Sequence, residues 1–414
     1  MVALVVVLSV VPHSVSASHC TPTDVAMPGM TVGVDEQCQV LRPDLREEID
    51  LSSFASYRIY ATVDLEAAAL RGEQRVTLPN PADRPLDRVV FRLLPNANTI
   101  YGGGSLTIEG VTRGEDPASW SLWPGGTVLT VSLDPALQPG ETVAIGLDFT
   151  ADIPRNGSGY NIYHHSSHVT SLAAWYPVLA PFEGGWQVSD VPAVGDANHF
   201  SIGLYDVTLT APATHLVVST GTTLEMREEG ETRVWHLVSG PARGFAIALS
   251  DRFEWHQTER EGVTINYYAL PSRGGRDPQA SLRIAADAFS VYNRRFGPYP
   301  YTEFDVVETF VSVGGYEFAG MVFIEQSLRA QGSTSQLRFI VAHEVAHQWW
   351  YALVGSDPVA EPWLDEALAT YSVALYLEDT YGEAARRNMV EYFRREGGVP
   401  SGDEPGIVVS ALST

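Results

Sequence analysis

From about residue 51 the chain alternates between apolar and other side chains. Tyr57, Ile59, Ala61, Val63 and Leu65 take every second position, the period of a strand buried on one face. Similar short runs follow at 88–94, 106–111, 127–133, 142–149, 205–210, 215–220, 233–238 and 244–249, punctuated by turn pairs such as Pro139-Gly140 and Gly240-Pro241. Many short strands at this spacing predict an antiparallel β-sandwich or saddle over 45–254. Beyond Trp255 the pattern becomes mixed. Strands are predicted at 263–269, 304–310 and 321–325, with a helix at 277–296 that has Pro278 near its start and Gly297 past its end. Helices at 336–354, 363–381 and 383–395 complete a second domain over 255–414. The expectation is a multidomain β plus α/β chain.

One predicted helix is apolar on nearly every side, through Leu337, Ile340, Val341, Val345, Ala346 and Trp349, so it should be buried. Yet it carries His343-Glu344-Val345-Ala346-His347. Histidines four apart share a helix face. Neutral imidazoles so placed can bind one Zn²⁺, with Glu344 beside them as general base. Without such a partner these polar groups would be desolvated at a cost. With eighteen residues between them, His347 is followed by Glu366, in Trp363-Leu364-Asp365-Glu366-Ala367. Gly355, the turn at Asp357-Pro358 and Pro362 fit a helix end and a new helix start in that gap. A carboxylate from the second helix would complete a His₂Glu set and leave the fourth position to water, as catalytic zinc requires. One zinc per chain is expected.

Composition changes the picture in two ways. Asp and Glu number 50 against 26 basic residues, every one of them Arg, for a formal charge of −24. That argues against nucleic acid or an anionic membrane as partner. The apolar run from Val2 to Val11 is too short to span a bilayer, and Val15-Ser16-Ala17 follows it with small residues. A signal peptide over 1–17 is expected, then a loose linker over 18–44 rich in Pro, Thr, Gly and Asp. The protein should be extracytoplasmic, secreted or at the cell surface, with no membrane contact apart from an N-terminal anchor. Export would permit a disulfide between Cys20 and Cys38, the two cysteines.

The His-Glu-x-x-His string with its distant Glu366 resembles the gluzincins, and the Trp-Leu-x-Glu block at this spacing resembles the M1 aminopeptidase family. The resemblance covers roughly residue 45 to the end. Gly314-Gly315-Tyr316-Glu317-Phe318, with Glu317 lying 26 residues before His343, is similar to that family's Gly-x-Met-Glu-Asn motif. Tyr316 stands where Met is usual, Phe318 where Asn is, and Asp365 where Asn precedes the third ligand. No Gln-x-Glu occurs upstream of Trp175-Tyr176-Pro177. Of Tyr371, Tyr376, Tyr381 and Tyr392, none sits in a context like that of the family's transition-state tyrosine, which the resemblance places past residue 414 with a helical lower half. The resemblance implies a partial thermolysin-like catalytic domain behind the β domain. It also implies an aromatic segment, Trp175 to Trp186, facing the cleft. His343, His347 and Glu366 would hold zinc, Glu344 would act as base, and Gly314, Gly315, Tyr316 and Glu317 would bind substrate. The activity implied is removal of N-terminal residues from peptide substrates. An endopeptidase, or a silent peptide-binding module, remains the alternative. His164, His165 and His168 are read as solvated loop residues rather than a second metal site.

Overall fold

The computed structural model describes residues 34–46, 49–155 and 157–396; the expected signal peptide and Cys20 lie outside them. An eight-stranded sheet forms the first part. Its spatial order is Thr222–Glu229, Thr232–Arg243, Ile202–Pro212, Ala55–Asp64, Ala69–Pro79, Thr142–Asp152, Ser105–Arg113 and Asp116–Pro117. The pairings are antiparallel except one: Ala55–Asp64 runs parallel to Ile202–Pro212. Two four-stranded antiparallel sheets complete the β part.

Alternation explains the first strand well. Ala55, Tyr57, Ile59, Ala61 and Val63 are all buried, and fully burying a side chain such as Ile59 or Val63 contributes about 1.5–3 kcal/mol. The neighbouring strand Ala69–Pro79 has the same rhythm, but two of its inward positions are Gly72 and Gln74. Gly72 lies under the Phe149 ring, where a Cβ would sit 2.4 Å from Cζ. Gln74 is buried and donates to the Pro177 carbonyl at 2.8 Å. A hydrophobicity pattern alone therefore misses this strand.

The second part is a five-stranded mixed sheet in the order Glu254–Arg260, Val263–Ala269, Glu303–Thr309, Met321–Glu325 and Gly315–Phe318. Its middle pairs are parallel and both edge pairs antiparallel. Helices Pro278–Phe296, Thr334–Ala346 and Leu368–Tyr381 build a core with Val263, Ile265, Phe304, Val306, Val322 and Ile324. Alternate residues of the same strands, among them Val307, Tyr316, Phe318, Met321 and Phe323, join the core of the β part. The two parts thus share one apolar interior.

Three expectations need correction. The stretch 34–46 is not loose: Val34–Gln39 is a helix, Leu41 is buried with Leu51 and Leu204, and Thr302 N–H donates to the Val40 carbonyl at 3.0 Å. Cys38 is disulfide-bonded. The helix expected over 336–354 stops at Ala346, with His347 as its cap. Its apolar pattern runs on, but tertiary bonds take over: Trp349 Nε1 reaches the Gly297 carbonyl at 2.9 Å, and Tyr351 OH the Arg243 carbonyl at 3.0 Å. Trp175 and Tyr176 face the interior, not a cleft, with Trp175 Nε1 donating to the Phe245 carbonyl at 3.0 Å. Among the described residues no helix is long and apolar enough to cross a membrane.

Candidate metal centre and substrate edge

Helix Thr334–Ala346 begins at Ser333, whose hydroxyl accepts from Gln336 N–H at 3.0 Å, a normal N-cap. It is buried along its last two turns. His343 and His347 emerge there with their Nε2 atoms 3.1 Å apart. Glu366 Oε2 lies 3.2 Å from His343 Nε2, and the three ligand atoms fall within 4.8 Å of one another. Tetrahedral zinc with Zn–N bonds of ~2.05 Å would space its donors ~3.3 Å apart. The donor types and their spacing therefore fit zinc.

Glu366 reaches this position from an unusual local structure. Trp363–Ala367 is a π-helical turn that passes into helix Leu368–Tyr381, where one continuous α-helix was expected. Such turns recur at functional sites because they re-aim side chains. Here consecutive acids meet different histidines: Glu366 meets His343, and Asp365 Oδ1 lies 2.7 Å from His347 Nδ1. Burial alone would raise the Glu366 carboxyl, but His343 and His347 beside it pull it well below the usual range.

Glu344 is 3% exposed and its Oε2 has no hydrogen-bond partner among the described residues. Burial pushes its carboxyl up to about 7, opposed by His343 and His347 and assisted by Glu366 and Asp365. Strand Gly315–Phe318 lies against it, so close that a Cβ on Gly315 would come 2.3 Å from Glu344 Oε1. Gly314, at φ +90, brings the backbone over Ile340 in a conformation that glycine adopts at little cost.

Strand Gly315–Phe318 is the edge of the five-stranded sheet, so among the described residues no strand pairs with its outer side, where Asn198 Nδ2 donates to the Glu317 carbonyl at 3.5 Å. Tyr316 and Phe318 turn into the shared core, their rings 5.5 Å apart. Glu317, 2% exposed, has a carboxylate oxygen within 4.8 Å of a carboxylate oxygen of Glu344 and a ring nitrogen of His347. Its Oε1 is also unpartnered among the described residues. Burial holds the Glu317 carboxyl well above its ordinary value, and the charges of Asp365, Glu344 and Glu366 add to this against the opposing pull of His347. The structure thus brings the predicted His343, Glu344, His347, Glu366, Gly315 and Glu317 to one place, with Tyr316 behind them.

Sequence reasoning missed three contributors. Gln348, fully buried, donates from Nε2 to the Phe318 carbonyl at 2.9 Å and accepts from Gly320 N–H at 2.8 Å. It clamps the hairpin that presents Glu317 to the end of the motif helix. Asp196 comes from a loop of the β part and shares a hydrogen bond with Glu366. Burial, with Glu317 and Glu366 beside it, holds its carboxyl well above the usual range. Tyr160 OH fixes that loop by accepting from Gly195 N–H at 2.8 Å. Gly195-Asp196 follows the aromatic segment in sequence, yet only the fold reveals its nearness to Glu366 and Glu317. His164 and His165 bond separately, to the Arg155 carbonyl at 3.0 Å and to Thr170 Oγ1 at 2.8 Å.

Comparison with known proteins gives a consistent relationship. Residues 280–398 match the Peptidase family M1 domain. Aminopeptidase M1-A of Oryza sativa subsp. japonica is 22% identical over 357 residues, covering 82% of this chain and 39% of its own. Endoplasmic reticulum aminopeptidase 2 of Bos taurus is 29% identical over 136 residues, or 30% of this chain and 14% of its own. The chain thus spans about two-fifths or less of these curated relatives. An M1 zinc metallopeptidase from Deinococcus radiodurans has the same fold, with a TM-score of 0.63 at 19% identity over 85% of this chain and 77% of its own. A two-domain M1 zinc metallopeptidase variant bound to L-arginine superposes with a TM-score of 0.61 at 18% identity, over 83% of this chain and 75% of its own.

Proposed function

We propose that the chain is a member of peptidase family M1, supported by the match over residues 280–398 and by its likeness to M1 aminopeptidases, and that it is a zinc-dependent aminopeptidase acting on peptides with a free N-terminus. His343, His347 and Glu366 would hold one zinc. When bound, zinc supplies Lewis acidity toward the scissile carbonyl and toward water. Glu344 accepts a proton from the attacking water and passes it to the leaving amine. Its burial beside the two histidines suits a group that must both take and give a proton at the scissile carbonyl.

The observation that carries the choice of an exopeptidase is the orphan oxygen of Glu317. A buried acceptor without a partner costs about 1–3 kcal/mol. A substrate ammonium laid against the edge strand would satisfy it, and Asp196 adds a second acid from the other side. A peptide paired antiparallel to Gly315–Phe318 would then present its first peptide bond near Glu344. Binding of L-arginine by a protein of this fold is consistent with a pocket for a single amino acid. An extracytoplasmic location belongs to the same proposal, supported by the apolar run at Val2–Val11 and by the oxidised Cys38.

The test measures zinc content and cleavage of one peptide in free and N-acetylated forms. Wild type is expected to hold one zinc and to cleave the free form; His347→Ala should lose both. Equal cleavage of both peptides at internal bonds would make the protein an endopeptidase. Stoichiometric zinc that survives His347→Ala would overturn the ligand assignment.

A further inference from the structure

The two histidines of the metal centre have unlike supports. Among the described residues His343 Nδ1 has only the Thr370 hydroxyl, at 3.4 Å, a long and neutral contact. His347 Nδ1 faces two acceptors at once, Asp365 Oδ1 at 2.7 Å and the Trp350 carbonyl at 3.0 Å. Two acceptors converging on Nδ1 keep the hydrogen there, which leaves Nε2 bare and aimed at His343. The Trp350 carbonyl alone would satisfy that tautomer. The Asp365 carboxylate is therefore in excess of what orientation demands, and it is buried, at 2% side-chain exposure, where keeping a charge is expensive.

We propose that Asp365 is a positioning residue whose charge, acting through His347, sets how tightly the site retains its metal. A carboxylate hydrogen-bonded to the far nitrogen of an imidazole pushes electron density toward the near one and strengthens its donation. The π-helical turn makes this geometry available. Neighbouring residues on an α-helix point ~100° apart, whereas the wider turn at Trp363–Ala367 lets Asp365 and Glu366 both address the motif helix. One acid is a ligand in its own right; the next works through the histidine. The result is an asymmetric site, in which His347 is the strongly held ligand and His343 the weakly supported one.

This inference rests on the zinc reading proposed above, and the experiment separates the two. Zinc dissociation constants are measured by competition with a chromophoric chelator for wild type, Asp365→Asn, Asp365→Ala and Thr370→Val. Far-UV circular dichroism of the metal-free forms checks the fold, and the absorption spectrum of the cobalt-substituted proteins reports ligand geometry. Asp365→Asn keeps shape and an acceptor but loses the charge, so its affinity should fall ~10-fold; Asp365→Ala should fall toward ~100-fold. The cobalt spectrum should change in both, while Thr370→Val stays close to wild type. Should the alanine variant fail to fold, the isosteric Asp365→Asn decides the matter. Wild-type affinity in Asp365→Asn overturns the role of its charge, and a loss in Thr370→Val as large as in Asp365→Asn overturns the asymmetry. Absence of stoichiometric zinc from wild type would overturn the site itself.

Discussion

Replacing Glu317 by Gln keeps the shape of the side chain and removes its charge. The carboxyl is 2% exposed, is held well above its ordinary value by burial, and has one oxygen without a partner among the described residues. In the free protein the change therefore relieves a cost only at pH values high enough to ionise it. With substrate it removes a gain. An ammonium meeting a buried carboxylate forms a charge-assisted hydrogen bond worth about 1.5–3 kcal/mol. At 1.36 kcal/mol per factor of ten, kcat/KM for a free-amine peptide should fall about 10- to 150-fold. Water reaches Glu317 poorly, which favours the upper half of that range. An N-acetylated peptide gains nothing from the charge, so its slow cleavage should barely change. Discrimination between the two peptides should therefore collapse, while the melting temperature of the zinc-loaded variant rises relative to wild type at pH values high enough to ionise Glu317. Steady-state kinetics on the peptide pair, with thermal melts alongside, measures both effects. An unchanged ratio between free and acetylated peptides in Glu317→Gln would refute the amine anchor. A drop in melting temperature would refute the account of its burial.

Three further outcomes are expected. Glu344→Gln should retain zinc and lower turnover roughly 10²–10⁴-fold, the range for a lost general base; turnover at the wild-type rate would remove Glu344 from that role. Gln348→Leu leaves the Phe318 carbonyl and Gly320 N–H unpaired, which should cost about 2–6 kcal/mol at 1–3 for each group; a melt within error of wild type would show that the clamp is dispensable. The third concerns pH. Asn266 Nδ2 donates to both Asp305, at 2.8 Å, and Glu303, at 3.0 Å. Burial first, and the nearby Glu303 second, raise the Asp305 carboxyl well above its usual value. A raised carboxyl contributes stability below its unfolded value, about 3.9, and loses it as pH climbs through the folded one. Wild type should therefore lose melting temperature with rising pH relative to Asp305→Asn, and parallel curves from pH 5 to 9 would contradict this.

Much of the architecture is local in origin and can be read along the chain. Alternation at Tyr57 to Val63 and the Asp277–Gly297 bracket each reflect interactions among near neighbours, so the strand and the helix lie where expected. The spacing of His343, Glu344 and His347 is equally local, because one helical turn carries it. The third donor was legible too, since Glu366 lies one short connection away. Other features depend on residues distant in sequence. The inward Gly72 and Gln74 make sense only once Phe149 and the Pro177 carbonyl face them. The motif helix ends at Ala346 because Gln348, Trp349 and Tyr351 bond to three separate parts of the fold. No rule along the chain marks Asp196 for the cleft, or gives Asp365 and Glu366 separate histidines. Periodicity records which face a segment buries; which polar groups then meet across that burial is decided by how the two sheets and the helices close on one another.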